Sequence, residues 1–177
     1  AVFSDFFVDT IRGIPMLVII LYVGLPLAGA VKSATSGYLD MAMMTRGIIA
    51  IAIGYSAYMA EIFRAGIEAV PKGQIEAART LGLREWHIAR LIVIPQAIAI
   101  VLPALGNEFI AMLKDTSLVS ILSVRDLTQR MREFQAQSFL AFEPFNSAAL
   151  IYVVLTILAA SGIKALDNIV NKSRSHE

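Results

Sequence analysis

The chain has 177 residues, of which 57% are hydrophobic and 16% charged, with a formal net charge of +1. Soluble domains carry about 45–50% apolar and about 25% charged residues, so this composition belongs in a bilayer rather than in water. There is no cysteine, which excludes disulfides and thiolate metal sites, and a charge this close to zero excludes the basic footprint of a nucleic-acid binder.

Chain length allows one domain, taken as residues 1–177. The first residue is Ala rather than Met and an apolar run begins almost at once, so further sequence upstream is expected. Residues 1–13 form a mixed lead with Asp5, Asp9 and Arg12. Residues 14–31 are then free of charge over roughly 18 positions, about the length of a hydrocarbon core. Pro15 stands at the start of this run, where a missing N–H costs little, and Pro26 lies inside it, where a kink is expected. A signal peptide is excluded because the run is too long, follows two acidic residues and lacks a small-residue cleavage site.

Residues 32–46 are a mixed link, and 47–63 form a second apolar run. Its small residues Gly47, Gly54, Ser56 and Ala57 permit close helix approach in a bilayer. Glu61 interrupts its end, with Arg64 three residues on along the same side. The third run, 91–107, contains Pro95 and Pro103, whose freed carbonyls require partners from neighbouring helices or a wet cavity. The fourth, 144–163, is uncharged over roughly 20 residues and is followed by a polar tail. Between the third and fourth runs, 110–143 reads as a short helix dipping at the membrane surface followed by an exposed amphipathic helix. The fold class is therefore an all-α integral membrane protein with four visible spans. With four crossings, the lead, the 70–90 loop and the tail share a side that carries nine of the 15 Lys and Arg residues, which makes that side cytoplasmic.

The 70–95 stretch, VPKGQIEAARTLGLREWHIARLIVIP, is the long charged segment between two apolar spans. Pro71 and Gly73 stand where a helix would begin, residues 74–80 read as that helix, 81–83 (Leu-Gly-Leu) as its glycine-closed end, and a second helix starts near Glu85. A plain solvated connection would explain the charge. It would not require Ala77, Ala78, Leu81, Leu83 and Trp86 along the helix, although Trp86 alone also suits an interfacial anchor.

Glu76-Ala77-Ala78, three residues, Gly82, nine residues, Ile92, one residue, then Ile94-Pro95 resembles the EAA loop of permease subunits of bacterial ABC importers. The match departs only at Ile94, where the family usually has Leu. RGIP at 12–15, the run from 57 to 83, IPQA at 94–97, LPALGNEFI at 102–110 and LKDTSLVSIL at 113–122 resemble the polar amino acid branch of that family. The resemblance implies a coupling helix that docks on a separate ATPase dimer. Gly73 and Leu83 lie within that segment. Glu76 would be an acidic partner for the ATPase or an internal brace, Ala77 and Ala78 would allow close approach, and Gly82 would make the turn. It further implies a second permease subunit, an extracytoplasmic amino-acid-binding protein, a polar amino acid as cargo, and residence in the bacterial cytoplasmic (inner) membrane with the loop and C-terminus cytoplasmic. The family usually has five spans, so one is expected to lie outside this chain.

The chain has no GxxxxGK[ST] loop, so ATP-Mg is expected on the partner ATPase, with no cofactor, metal or catalytic residue here. Polar groups beside the spans mark a candidate pathway: Glu61, Asn107, Glu108, Lys114, Asp115, Thr116 and Ser117. Each also has a plainer role. Glu61 can pair with Arg64 at headgroup level, Asn107 and Glu108 can form a polar helix end, and Asp115 or Thr116 can cap the next short helix. Tyr55 and Tyr58 read as packing residues. A gradient-driven secondary transporter and a non-transporting scaffold are the other classes this composition admits; the first should show inverted repeats, and none is visible.

Overall fold

A computed structural model describes residues 2–172, with side chains described for 4–167. Helix α1 (Val2–Gly13) leads through Pro15 into α2 (Met16–Tyr22), a π-helical segment (Val23–Leu27) and α3 (Ala28–Ala34). Helix α4 covers Met43–Glu68, α5 Lys72–Thr80 and α6 Glu85–Ile88. A second π-helical segment (Ala89–Val93) joins α6 to α7 (Ile94–Asp115), which runs into a 3₁₀ segment (Thr116–Leu122). Helices α8 (Leu127–Ser138) and α9 (Glu143–Lys172) complete the described chain. Four of these stretches are long and apolar enough to cross a membrane: Met16–Ala34, Met43–Glu68, Glu85–Leu122 and Glu143–Asp167. The fold is an all-α membrane bundle.

Two of the prolines lie in or beside π segments. Pro26 lies inside the first, and Pro95 stands two residues beyond the second, because a missing N–H breaks the α ladder and the chain relaxes to wider hydrogen bonding. Pro103 sits within α7 without ending it. The third span is longer than the apolar run 91–107 suggested, since the charged residues at both ends remain helical.

Helix α4 is central. It packs against α1, α2 and α7, and α7 in turn packs against α9. Apolar transfer does not drive helix association within lipid, so close fit must do so. Gly66 of α4 faces the Val101 side chain and the Ala97 carbonyl of α7, with no room for a Cβ between them, and Gly106 of α7 stands in the same way against Ile163 of α9. Gly47 lets Val119 approach to within 3.1 Å of where its Cβ would be.

The core cluster joins Ile19, Ile20 and Val23 of the first span, Ala50 of α4, and Val119, Leu122 and Val124. The 3₁₀ segment of this stretch packs against both the first span and α4, with Val119, Ser120 and Leu122 buried. Its alternation of small and branched residues fills the space beside Gly24 and Gly47. The amphipathic helix that follows does form as α8, with Asp126 Oδ1 accepting the Gln129 backbone N–H at 2.8 Å as its N-cap. Helix α9 packs against α7 and α8 along one side and leaves large apolar residues such as Leu150, Ile157 and Leu158 exposed.

Candidate functional site: a coupling hairpin and a polar seam

The hairpin after α4 forms as its residues predict. Helix α5 begins at Lys72 after Pro71 and stops at Thr80 because Gly82 takes φ +77°. The Gly82 N–H donates to the Arg79 carbonyl at 2.9 Å and the Leu83 N–H to the Ala78 carbonyl at 3.1 Å. This paired pattern is a Schellman closure, which satisfies two helix-end carbonyls and requires the left-handed backbone that glycine adopts freely. Across the turn, Arg79 makes a two-pronged bond to Glu85, Nε to Oε1 at 2.7 Å and Nη2 to Oε2 at 3.1 Å. The Glu85 carboxylate holds the Arg79 guanidinium above its usual range.

The sides of α5 differ. Gly73, Glu76 and Ala77 are exposed, as are Gly82 and Leu83 beyond it, and Leu81 projects from the turn at 81% exposure. Ala78 is buried at 3% and Ile88 at 2%. Ala78 therefore permits approach between parts of this chain, a correction to the expectation that both alanines face a docking partner. The brace within the hairpin is Arg79–Glu85 rather than Glu76. A shallow groove lined by Ala77, Ala78, Leu81, Leu83, Leu91 and Ile92 separates α5 from the start of the third span.

A second polar feature winds around α4, from the side that meets α7 to the side that meets α1. Tyr55, Tyr58, Glu61 and Arg64 follow at three-residue spacing. Tyr55 is buried and donates from its hydroxyl to Asp115 Oδ2 on α7 at 2.9 Å. The Tyr55 and Tyr58 rings tilt together with centroids 6.0 Å apart, and the Arg12 guanidinium lies 5.8 Å over Tyr58. Arg12 Nη1 is 3.8 Å from Glu61 Oε2, and Arg64 Nε is 3.9 Å from the same oxygen. Arg64 also bonds Asp5 of α1 at 2.5 Å, so Glu61 sits between two arginines rather than pairing with one. Acidic and basic groups thus alternate from Asp115 to Asp5 through the α1–α4–α7 contact.

The predicted pathway residues divide. Glu108 and Asp115, seven residues apart on α7, lie on one stripe with Glu108 in electrostatic range of Tyr55. Asn107 and Lys114 form the neighbouring stripe and are exposed. Asn107 and Glu108 do not form the expected helix end, because α7 continues past them to Asp115. The capping role expected for Asp115 or Thr116 is also absent: the 3₁₀ segment has no side-chain cap, and Thr116 Oγ1 turns back to the Leu113 carbonyl at 2.6 Å. Ser117 is half-buried at the start of that segment. Chain order alone does not place Tyr55, Tyr58 and Arg12 in this seam; the three-residue polar spacing on α4 is the one local sign of it.

A further polar knot lies at the other end of α4. Arg46 donates from Nε to the Met41 carbonyl at 2.8 Å, from Nη1 to the Gly24 carbonyl of the π segment at 3.1 Å, and from Nη2 to Asp40 at 3.2 Å. Lys32 meets the same carboxylate at 2.6 Å.

Residues 2–172 match the family model for the binding-protein-dependent transport system inner membrane component. The chain belongs to this family. Among curated members it is 37% identical over 169 residues to a probable glutamine ABC transporter permease protein, GlnM, of Bacillus subtilis, covering 94% of this chain and 74% of that one. It is 32% identical to the arginine ABC transporter permease protein ArtQ of Haemophilus influenzae, over 91% of this chain and 73% of the relative. A solved amino acid ABC transporter, crystallised with histidines, superposes with a TM-score of 0.83 at 40% identity over 93% of this chain and 73% of that one. The MetNI methionine ABC transporter in inward-facing form shares the fold at 17% identity with a TM-score of 0.76 over 94% of this chain and 73% of that one. This member of the inner membrane component family thus contributes membrane helices to a binding-protein-dependent transport system, and four of its helical stretches suit that place.

Proposed function

We propose that the chain is the membrane-spanning subunit of an ATP-driven importer for a polar amino acid in the bacterial cytoplasmic membrane. The whole of residues 1–177 acts as one transmembrane domain, with 70–90 as its cytoplasmic coupling loop. The observation that carries this reading is the closed hairpin of α5: a short helix with an exposed Glu76–Ala77 face, ended by a glycine-specific turn and bonded to the third span. Gly73, Glu76, Ala77, Gly82 and Leu83 meet the ATPase, while Ala78 seats α5 on its own fold.

Alternating access then follows from differential binding. Two ATPase subunits closing on ATP-Mg bind one position of α5 better than the other, and that preference shifts the bundle between its two openings. Half a pathway cannot enclose a solute, so a second permease, identical or related, completes the cavity, with twofold pairing the commonest closed arrangement. An extracytoplasmic amino-acid-binding protein delivers the cargo on the side of the Lys32–Asp40–Arg46 knot. The bond between Asp5 and Arg64 supports the orientation, since it holds the lead beside the end of α4 that enters the coupling loop. The seam supports the cargo class. A zwitterion needs one group of each sign, and the seam carries both, with Asp115 bonded to Tyr55 and Arg12 over the neighbouring Tyr58.

The deciding experiment is uptake of radiolabelled amino acids into proteoliposomes holding the permease, its ATPase and its binding protein. Uptake should require ATP, and Gly82→Asp should assemble yet transport poorly. A Gly82→Asp complex that assembles and transports like wild type would remove the coupling role. Uptake driven by an ion gradient with no ATPase present would replace it with secondary transport.

A further inference from the structure

We infer that α5 is a splint across the π-helical joint of the third span, held there by two side-chain bonds, Arg79–Glu85 before the joint and Gln74–Gln96 after it. The inference rests on the coupling role proposed above and states how that motion reaches the membrane.

The third span is one continuous helical stretch from Glu85 to Leu122, but its regular ladder fails between Ala89 and Pro95. There the π segment and the proline meet. Such places are where helices bend, because wider or missing hydrogen bonds resist bending least. A lever pushing only on α6 would lose its motion at that joint. Helix α5 lies alongside it, packing on α6 and on the π segment.

Its ends are tied on opposite sides of the weak stretch. Arg79 grips Glu85 with both prongs of the guanidinium, which fixes direction as well as distance. Gln96 Nε2 donates to Gln74 Oε1 at 2.6 Å and to the Ile92 carbonyl at 3.0 Å. One amide therefore fastens α5 to α7 and also occupies a carbonyl within the disrupted turn. Ala78, buried at 3%, brings the two helices close enough for both ties to reach. The ties are exposed, so their worth lies in orientation rather than in fold stability. Gln74, Arg79, Glu85 and Gln96 are thus positioning residues: none carries solute or nucleotide, and each keeps α7 moving as one body with α5.

The test uses the assembled transporter in proteoliposomes. The variants are Gln96→Ala, Gln74→Ala, Arg79→Ala, and the exchange Arg79→Glu with Glu85→Arg. Each single variant should keep ATP hydrolysis near the wild-type rate yet raise ATP consumed per solute imported by roughly threefold or more, and the charge exchange should restore most of the ratio. A merely structural role would lower both rates together and leave their ratio alone. An unchanged ratio in all three single variants would overturn the splint. A second measurement covers variants that fail to assemble. The chain lacks cysteine, so Gln74→Cys with Gln96→Cys can be bridged by a short bis-thiol-reactive linker containing a reducible bond. A splint predicts that the bridged transporter imports at a rate like the reduced one. If bridging stops import and reduction restores it, α5 must swing against α7 and the inference fails. Failure of the ATPase to bind the wild-type permease would instead remove the coupling role itself.

Discussion

Tyr55 donates its hydroxyl to Asp115 at 2.9 Å across the α4–α7 contact, joining the middle of one long helix to the last residue of another. The acceptor stands where α7 gives way to the 3₁₀ segment, whose Val119 enters the core beside Gly47. Tyr55→Phe should lower the stability of the detergent-solubilised protein by about 1 kcal/mol, the usual net worth of such a bond. Asp115→Ala added to Tyr55→Phe should then cost less than the two single costs summed, because both remove one interaction. Thermal unfolding of the four proteins reads this cycle, and strict additivity would show the bond to be idle.

Gly66 has no room for a side chain between α4 and α7. Gly66→Ala must push Val101 aside, and overpacking of this kind costs about 1–3 kcal/mol. Val101→Ala should recover much of that loss in the double variant, since it removes the methyl groups in the way. Crosslinking yield between cysteines placed on α4 and α7 would report the separation directly. No rescue by Val101→Ala would place the obstruction in the Ala97 carbonyl instead.

Gly82 presents the opposite case: nothing lies within 4 Å of where a Cβ would stand, but the backbone is left-handed at φ +77°. The cost of Gly82→Ala is then conformational, about 1–2 kcal/mol, and Gly82→Asn should be milder because Asn tolerates this region. Amide exchange in α5 should rise in the order glycine, asparagine, alanine. Equal protection in all three would mean that the turn does not hold the helix end.

Asp40 lies outside the spans, and its hydrogen bond from Lys32, with Arg46 adding to it, holds its carboxyl below the usual carboxylate range. The folded chain therefore takes up this proton less readily than the unfolded chain. The stabilisation is complete above the unfolded value of about 3.9 and disappears as pH falls through it to the folded value. Wild type should outlast Asp40→Asn in thermal melts at pH 7, and the gap should close below about pH 4. Salt should narrow the gap at pH 7, because the pair is exposed. A gap equal at pH 7 and pH 3 would assign the effect to something other than this charge.

Much of this protein is written in one dimension. Apolar stretches near bilayer length mark the spans, Pro26 and Pro95 mark where helices deform, and the Gly82 turn follows from the residue that adopts its backbone most cheaply. These depend on neighbours in the chain, so local rules reach them. What the chain order could not give is which distant groups meet. Asp115 has the sequence context of a helix cap and is instead the acceptor for Tyr55, 60 residues away. Ala77 and Ala78 are adjacent and identical, yet one faces outward and the other is packed inside. Val119 and Leu122 belong to a segment of mixed composition and enter the core, where Gly47 and Gly24 on two other helices leave room for them. In each case the outcome turns on helix-to-helix distance, which is set by small residues at remote positions and exists only once the bundle has closed.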